Sequence, residues 1–473
     1  MIKETRIETD SIGSLNVPKD AYYGVQTLRG KNNFHITGHG LNQKFIEAMA
    51  RVKEATSLAN FHAGLITKEQ QDVMVKVCHE IIDGKFRDQF ITDSIQGGAG
   101  TSMNMNMNEV IANRAGELLG GELGKYDKIH PNDHVNYGQS TNDVIPTAGK
   151  LTLHLLSVEL IKGLERLYEV LYEKGDEFND VLKMGRTHLQ DAVPIRLGQE
   201  FRAFAEPVSR DITRIKFALE DLKFVNMGAT AVGTGLNADV DYVHNVVKIL
   251  ARITKIDFKQ SANLVDGTRN LDAFVFLSSA LKTCAVNLSK TANDLRLMAS
   301  GPKTGLFEIN LPMQQPGSSI MPGKVNPVIP EVLNQVSFQV FGNDLTITKA
   351  AEAGQLELNV FEPVLFYNLF QSMEILTNGI KTFIDNCLIG ITANKNRCQE
   401  MVDNSIAPIT ALCPHIGYKN AADIAKESLK TGVPVKKIIL DRGLLSEEDL
   451  DIILDPFEMT RPGITGKSLL KTK

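Results

Sequence analysis

One short stretch of the chain combines small polar side chains with a cation in a segment that is ill suited to helix. Residues 316–330 read PGSSIMPGKVNPVIP and contain Ser318 and Ser319, followed by Lys324 and Asn326. Hydroxyl, ammonium and amide groups in such a segment can face a ligand. The glycines permit motion and the prolines restrict helix formation, so composition alone also fits an ordinary surface linker. The segment is therefore a candidate site loop, with a linker as the alternative.

Four other clusters of Gly, Pro, Ser and Asn interrupt the helical pattern and offer the same kind of groups. They are QGGAGTS from Gln96, HPNDHVNYGQSTND from His130, MGRTHLQDAVP from Met184 and GATAVGTGLN from Gly228. The last resembles a phosphate-binding loop, but no Lys-Ser or Lys-Thr pair follows Gly233, which favours a tight turn. Near the carboxy terminus, Lys467 and Ser468 would complete such a loop only with a glycine where Arg461 stands.

Two histidine pairs have the i, i+4 spacing of metal ligands on a helix. His130 and His134 are separated by Pro131 and turn-forming residues, and His35 and His39 lie around a glycine, so neither pair is expected on a helical face. We interpret all four as solvated loop histidines and predict no metal site. The five cysteines have neither CxxC nor zinc-like spacing, and we predict buried thiols; they are Cys78, Cys284, Cys387, Cys398 and Cys413.

Long helices must position these loops, because proline is rare and apolar residues recur with helical period. From Glu200 onward, the pattern predicts a helix with one buried stripe. Its members are Phe201, Phe204, Val208, Ile212, Ile215, Leu219 and Leu222. Further long apolar segments are Leu151–Lys174, Leu271–Ala299 and Leu356–Cys387.

The pattern predicts an all-α, mainly helical fold whose long helices need neighbours on several sides. We expect an amino-terminal, mostly helical domain over 1–140 and a central bundle of long helices over 141–393. A small helical domain over 394–473 would follow, with a capping pattern that begins at Ser446. Completion of the bundle by other subunits predicts a homo-oligomer.

Charge limits the classes of partner. The chain of 473 residues has 51 Lys plus Arg against 56 Asp plus Glu, a formal net charge of -5. This balance gives no general attraction to nucleic acid or to acidic membranes, so an anionic substrate must be held by local positive groups. The amino terminus is charged throughout and has no apolar signal-like run, which predicts a soluble, cytoplasmic protein.

The stretch GSSIMPGKVNP from Gly317 resembles the signature loop of the aspartase and fumarase superfamily. Other segments resemble the family in the same order along the chain: AYYGVQTLRG from Ala21, GGAGTSMNMNMNEVIANRA from Gly97, HPNDHVN from His130 with QSTND from Gln139, GRTHLQDAVPIRLGQEF from Gly185, and NMGATAVGTGLN from Asn226. The resemblance covers essentially the whole chain. It implies a three-domain helical subunit, a tetramer with a multi-helix core, and active sites shared between subunits.

The resemblance also assigns roles, residue by residue. Thr101, Ser140, Thr141 and Ser319 would surround the β-carboxylate of a substrate, Lys324 and Asn326 would hold its α-carboxylate, and Asn142, Thr187 and His188 would lie near its amino group. Each has a structural alternative: Ser140 and Thr141 could simply cap the following helix, and His188 could be a structural histidine.

Ser318 matches the first serine of the loop and is expected to remove a proton from carbon. Serine normally holds its own proton too strongly for this, so backbone N–H groups and a cation such as Lys324 must stabilise its oxyanion, which requires a lid that becomes active on closing. The substrate's carboxylate accepts the electrons, so no cofactor is expected.

Within the superfamily, the amino-acid sequences of several segments favour L-aspartate deamination to fumarate and ammonia. NPVIPEVLNQV from Asn326, GLFEINLPMQQPGSS from Gly305 and LQDAVPIRLGQEF from Leu189 resemble aspartases more than fumarases. A fumarase remains the nearest alternative. A helical scaffold without catalysis is a third, but it would require a departure at Ser318, Lys324 or Asn326, and none is present.

Overall fold

The computed structural model describes residues 4–406 and 408–470, and helices dominate it. The α-helices are α1 Val25–Asn33, α2 Gln43–His62, α3 Lys68–Ile82, α4 Thr101–Leu118, α5 Thr141–Glu177, α6 Leu197–Asp221, α7 Val240–Thr254, α8 Leu264–Arg269, α9 Asp272–Met298, α10 Val328–Glu352, α11 Glu362–Asn386, α12 Lys395–Asp403, α13 Ile409–Ile416, α14 Tyr418–Thr431, α15 Val435–Asp441 and α16 Glu447–Ile453. The predicted all-α class is confirmed.

Strands are short and pair only two at a time within the described residues. They are β1 Thr5–Thr9, β2 Ser14–Pro18, β3 Leu182–Thr187, β4 Gln190–Arg196, β5 Phe224–Val225, β6 Lys259–Gln260, β7 Ile309–Asn310 and β8 Thr392–Ala393. The pairs β1–β2, β3–β4 and β7–β8 are antiparallel, and β5–β6 is parallel.

The described residues divide into two compact units. The first unit is drawn from residues 4–162, 211–285 and 336–377, and the second unit from 163–210, 286–335 and 378–470. In the first unit, α2 packs against α3 and α7. In the second unit, α12 packs against β3, and α13 packs against α14.

The helical period identified α6 and its buried face correctly. Phe201, Ile215 and Leu222 are fully buried. Val208 and Leu219 are only 3% and 6% exposed. Phe204 and Ile212 are half-buried, as befits the margin of a stripe. The predicted helix over Leu271–Ala299 is likewise confirmed, because α9 occupies all but its two ends.

One predicted helix start is wrong. The segment expected to begin at Leu356 becomes helical only at Glu362, where α11 begins. Asn359 explains the gap, because its side-chain amide donates to the carbonyls of Ala350 and Ala351, 2.9 and 3.0 Å away, and so satisfies the last turn of α10. Leu356 itself has a left-handed backbone, with φ of 54°, which no α-helix accommodates.

The carboxy-terminal helices have their own apolar core. Leu412, Ile424, Ile439 and Leu450 are all fully buried in one cluster. The predicted cap is present, since the Ser446 hydroxyl accepts a hydrogen bond from the Asp449 amide at the start of α16.

Helix α5 is long and apolar enough to cross a membrane if judged by length and composition alone. However, 67% of its most apolar window is buried inside the protein. Burial of this kind is typical of a core helix in a soluble fold. All five cysteines are free, and all but the half-buried Cys413 are buried.

Candidate active site

Residues 317–326, which we call the Ser318 loop, are closed by hydrogen bonds between their two ends. The Gly317 amide donates to the Lys324 carbonyl at 2.8 Å, and the Asn326 side-chain amide donates back to the Gly317 carbonyl at 2.6 Å. A Cβ atom at position 317 would lie 2.4 Å from the Lys324 carbonyl oxygen, so glycine is required there by close approach. Asn326, predicted to bind substrate, thus also shapes the loop.

Inside this loop, the Ser318 hydroxyl oxygen faces two backbone donors. The amides of Ile320 and Met321 lie 3.2 and 3.0 Å from it. Two N–H groups on one oxygen form the kind of nest that stabilises an oxyanion. Ser319 and Lys324 are exposed, and the Lys324 ammonium makes no hydrogen bond to the part of the chain that the structure describes. The loop therefore presents a serine, a second hydroxyl and a cation to solvent.

Thr187 and His188 lie at the tip of the β3–β4 hairpin, also in the second unit. Thr187 pairs with Gln190, which leaves His188 and Leu189 as the two turn residues. Their φ angles are 56° and 60°, so both occupy the left-handed region that a type I′ turn requires. Neither is a glycine or an asparagine, and such strain in an exposed turn is typical of functional sites. The tip places the imidazole of His188 in solvent.

Buried charges hold the base of this hairpin. Glu308, which is fully buried, forms ion pairs with Lys183 at 2.7 Å and with Arg186 at 2.5 Å. Lys183 also pairs with Glu200 at 2.8 Å, and the carboxylates of both partners raise its pKa despite its burial. Because Arg186 directly precedes Thr187, the cluster fixes the strand that carries the hairpin tip.

In the first unit, Thr101 is the first residue of α4. It follows Gly100, whose φ of 86° sets the sharp entry to the helix. The Thr101 hydroxyl donates to the Gly98 carbonyl at 2.7 Å, and the side chain is exposed. A ligand could therefore use the hydroxyl oxygen as an acceptor, or compete for its proton.

Ser140, Thr141 and Asn142 form the start of α5, and we call these three residues the α5 turn. The Ser140 hydroxyl accepts from the Asn142 amide at 3.2 Å, and Asp143 accepts from the Ser140 amide at 3.0 Å. The capping alternative is thus observed for Ser140, which caps the helix with Asp143 closing the box. Capping does not exclude binding, because the amino terminus of a helix favours anions.

Asn142 ties the α5 turn to the glycine-rich segment 228–235. Its side-chain amide donates to the Ala231 carbonyl at 2.7 Å, and its own carbonyl accepts from Asn226 at 3.0 Å. The segment is closely packed, as predicted: a Cβ at Gly233 would lie 2.4 Å from the backbone of Val265. The segment is thus a tight turn, as predicted, and it is hydrogen-bonded to the α5 turn.

The structure thus gathers the predicted residues into local groups. The α5 turn forms one group in the first unit, where a hydrogen bond from Asn104 to the Thr141 hydroxyl, 3.4 Å long, links it to α4. The second unit contains the Ser318 loop and the hairpin tip.

Three buried polar residues were not predicted from the sequence. Lys53, Asp143 and Glu308 are each at most 2% exposed. A signal for Lys53 was present, because Ile46, Met49 and Lys53 recur at helical spacing on the buried face of α2. A lysine on an apolar stripe marks a position where the fold must satisfy a buried charge.

The prediction for His130 and His134 needs correction. The chain between them forms a π-helical turn, Pro131–Val135, and the His130 amide donates to the His134 ring at 2.8 Å. His134 is half-buried and contacts Gln70, so it is not a solvated loop histidine. In the described part of the chain, no group of three or more His, Cys, Asp or Glu side chains could hold a metal ion.

Comparison with protein families finds two matches along the chain. A family model described as "Lyase" matches residues 13–342, and one described as "Fumarase C C-terminus" matches residues 409–461.

Curated relatives match over nearly their full length. The chain is 56% identical to a protein named aspartate ammonia-lyase from Bacillus sp, over 99% of this chain and 100% of that protein. It is 50% identical to a Helicobacter pylori protein of the same name, over 97% of this chain and 98% of the relative.

Solved structures show the same fold. A fumarate lyase:delta crystallin from Brucella melitensis, described as bound to cobalt, is 49% identical, with a TM-score of 0.94 over 97% of this chain and 100% of that chain. A class II fumarase from Schistosoma mansoni is 37% identical, with a TM-score of 0.94 over 97% of this chain and 99% of that chain.

Proposed function

The chain belongs to the aspartate ammonia-lyases of the aspartase and fumarase superfamily, and we propose that it catalyses the reversible deamination of L-aspartate to fumarate and ammonia. The identity of 56% to a relative of that name, over the whole chain, carries the proposal. The identity of 37% to a class II fumarase is lower, which agrees with the preference expected from the loop sequences.

In the proposed mechanism, Ser318 removes a proton from C3 of L-aspartate. The electrons move into the neighbouring β-carboxylate, which becomes a dianionic aci-carboxylate, and collapse of this intermediate breaks the C–N bond. The ammonium leaves as neutral ammonia and needs no further proton. The two backbone amides on the Ser318 oxygen support this role, because they stabilise the oxyanion that a serine base requires.

Donors must meet the charge that develops on the β-carboxylate. We assign this task to Thr101, Ser140, Thr141 and Ser319, whose hydroxyls can donate to a carboxylate. The position of the α5 turn at the start of a helix supports it, since the helix dipole favours negative charge there.

The remaining predicted residues orient the substrate. We assign Lys324 and Asn326 to the α-carboxylate, and Asn142, Thr187 and His188 to the region of the amino group. The exposure of Lys324 and of the hairpin tip supports access by a ligand. No cofactor is proposed, because the substrate's own carboxylate accepts the electrons.

A homotetramer with shared active sites completes the proposal. Large apolar side chains on the long helices are exposed in the single chain: Phe217 by 66%, Phe338 by 58% and Leu345 by 64%. Contacts between subunits would remove these apolar groups from water, which is favourable, and their exposure supports the proposed assembly in this way. A cytoplasmic location and the division at residues 140 and 393 into three domains remain predictions.

Complementation tests the shared sites. Two inactive variants, one changed at Ser318 and one at His188, are unfolded, mixed and reassembled. If the two residues of one site come from different subunits, mixed tetramers contain some intact sites and activity partly returns. Reassembled mixed tetramers without activity would place both residues of a site in one chain.

One assay separates the proposed function from its rivals. Ultraviolet absorbance of fumarate is followed with L-aspartate and with L-malate as substrates. We expect fumarate and an equal amount of ammonia from L-aspartate, and negligible turnover of L-malate. Fumarate from L-malate alone would identify a fumarase, and turnover of neither would favour the scaffold.

A further inference from the structure

A buried lysine lies below the α5 turn. Lys53, in the middle of α2, is 2% exposed, and its ammonium donates to the side-chain oxygens of Asn136 and Gln139 at 3.0 and 2.9 Å. Removing an ammonium from water costs several kcal/mol, so a buried lysine demands well-placed acceptors. Here both acceptors belong to the segment that leads into the α5 turn.

Asn136 is the centre of this buried network. Its side-chain oxygen accepts from Lys53, from Asn104 at 3.1 Å and from Asn108 at 3.2 Å. Its side-chain amide donates to the carbonyl of Gln139, the residue directly before the α5 turn, at 3.2 Å. Every polar group of the Asn136 side chain is thus engaged, which fixes the approach of the chain to the helix.

Asn104 connects the network to Thr141, a predicted substrate-binding residue. The same side-chain amide that donates to Asn136 also donates to the Thr141 hydroxyl oxygen at 3.4 Å. A hydroxyl that accepts a hydrogen bond from one side is free to donate its single proton to another acceptor. Asn104 therefore sets the Thr141 hydroxyl to act as a donor.

Asp143 holds the α5 turn from the other side. Its carboxylate, fully buried, accepts from the amides of Ser140 and Thr230 at 3.0 and 3.1 Å. Burial lowers the pKa of Lys53 to about 7 and raises the pKa of Asp143 to about 7, and the opposite charge of each partner acts against these shifts.

We propose that Lys53 and Asn104 are positioning residues for the reaction, which hold the Thr141 hydroxyl ready to donate to the β-carboxylate as it becomes a dianion. The inference deepens the proposed function and rests on it. The network orients a donor in advance, so the reaction avoids the cost of reorienting that donor as charge develops. Loss of the network should then lower kcat more than it raises KM.

The chain offers a matched pair of variants for the test. Asn104 and Asn108 are both on α4, both are at most 1% exposed, and both donate to the same Asn136 oxygen. Of the two, Asn104 is the one that also contacts the Thr141 hydroxyl. Asn104→Ala should lower kcat for L-aspartate by about tenfold, because one oriented hydrogen bond is lost in the transition state. Asn108→Ala removes a bond to Asn136 but leaves the bond from Asn104 to Thr141 in place, so it should lower kcat clearly less than Asn104→Ala does, although both create a similar cavity.

Binding of an intermediate analogue distinguishes a positioning role of Asn104 from general disruption of the site. The nitronate of 3-nitropropionate is isoelectronic with an aci-carboxylate, whereas succinate resembles the ground state. Calorimetry should show nitronate affinity falling about tenfold in Asn104→Ala, in line with the change in kcat, with succinate affinity nearly unchanged. Equal losses for both ligands, or equal effects of the two asparagine variants, would overturn the proposal.

Lys53 is compared with a second buried lysine. Lys150 lies further along α5, is 8% exposed, and its ammonium donates to the Phe224 carbonyl at 2.5 Å. Lys53→Met and Lys150→Met should both lower stability, but only Lys53→Met should lower kcat per folded tetramer, by at least about tenfold. If Lys53→Met does not fold, the comparison of Asn104→Ala with Asn108→Ala tests the proposal by itself.

The wild-type enzyme separates failure of the proposed function from failure of the positioning role. If wild type releases no ammonia from L-aspartate but converts L-malate, the proposed function fails, and the same variants are compared with L-malate, whose β-carboxylate passes through the same dianion. If wild type deaminates L-aspartate and Asn104→Ala behaves as Asn108→Ala does, the positioning role fails while the function stands.

Discussion

The α5 turn and the Ser318 loop carry the same kinds of side chain but are built in opposite ways. Ser140 and Thr141 are half-buried and are held from below by Asn104 and Asp143. Among the described residues, the hydrogen bonds of the Ser318 loop are short-range: Gly317 donates to Lys324 and accepts from Asn326, and most of the side chains in the loop are exposed.

The difference matches two tasks. Groups that stabilise developing charge are most effective when they are fixed before the reaction starts. A base on a lid must first admit the substrate and then close over it. In the proposed mechanism, the α5 turn therefore supplies preorganised donors, and the Ser318 loop supplies a base whose surroundings are completed on closure.

Ser318→Ala gives the largest expected effect on the loop side of the comparison. Turnover of L-aspartate should fall by more than about a hundredfold, because the base is removed. Circular dichroism and oligomer size should not change, since one hydroxyl on an exposed loop contributes little to the core. Turnover above about a hundredth of wild type would remove Ser318 from this role.

Lys324→Ala should have the next largest effect. We expect KM for L-aspartate to rise by about tenfold and kcat to fall, because a charge-assisted hydrogen bond to a carboxylate is lost. Lys303→Ala is the control, since Lys303 is also an exposed lysine but lies outside the loop. Unchanged kinetics in Lys324→Ala, or equal losses in both variants, would contradict the assignment.

Ser140→Ala tests the α5 turn, the fixed region of the two. Loss of the cap should lower the free energy of unfolding by about 1 kcal/mol, and loss of a donor should lower kcat by about tenfold. Ser446 also caps a helix, α16, where its hydroxyl accepts a 3.1 Å hydrogen bond from the Asp449 amide. Ser446→Ala should cost similar stability and leave kcat unchanged, as measured by chemical denaturation and steady-state kinetics. Normal kcat in Ser140→Ala would show that Ser140 only caps the helix and does not act as a donor in the reaction.

The smallest effect concerns the hairpin tip. Leu189→Gly should raise the free energy of unfolding by about 1 kcal/mol, because glycine accepts the left-handed conformation without strain. Leu236→Gly is the control: Leu236 is 73% exposed, against 71% for Leu189, but is not strained. It should gain no stability in the same denaturation experiment. Destabilisation by Leu189→Gly would show that this side chain makes contacts in the assembled protein.

The sequence sufficed for elements whose signal is local. The apolar period located α6, the long apolar segment without a helix breaker located α9, and four residues from Ser446 predicted the cap of α16. The resemblance supplied the family. The β3–β4 hairpin was not predicted, because its turn is made by His188 and Leu189 in place of the usual Asn-Gly or Asp-Gly.

Long-range polar contacts were beyond sequence reasoning. The bond from Lys53 to Asn136 joins residues 83 positions apart, and the bond from Arg186 to Glu308 joins residues 122 apart. No local pattern encodes such pairs, since each depends on how separate helices and strands pack. A lysine on an apolar stripe indicates that a partner is needed, but not where along the chain the partner lies.

The exposure of the Ser318 loop makes it a site for proteases. Lys324 is exposed and follows Gly323, so trypsin has access to the bond after Lys324. Closure over a bound dicarboxylate would shield that bond, and the rate of a single nick, read on a gel, would then report lid position without any turnover. The same property makes the open enzyme vulnerable in cell extracts, where substrate would prolong its lifetime.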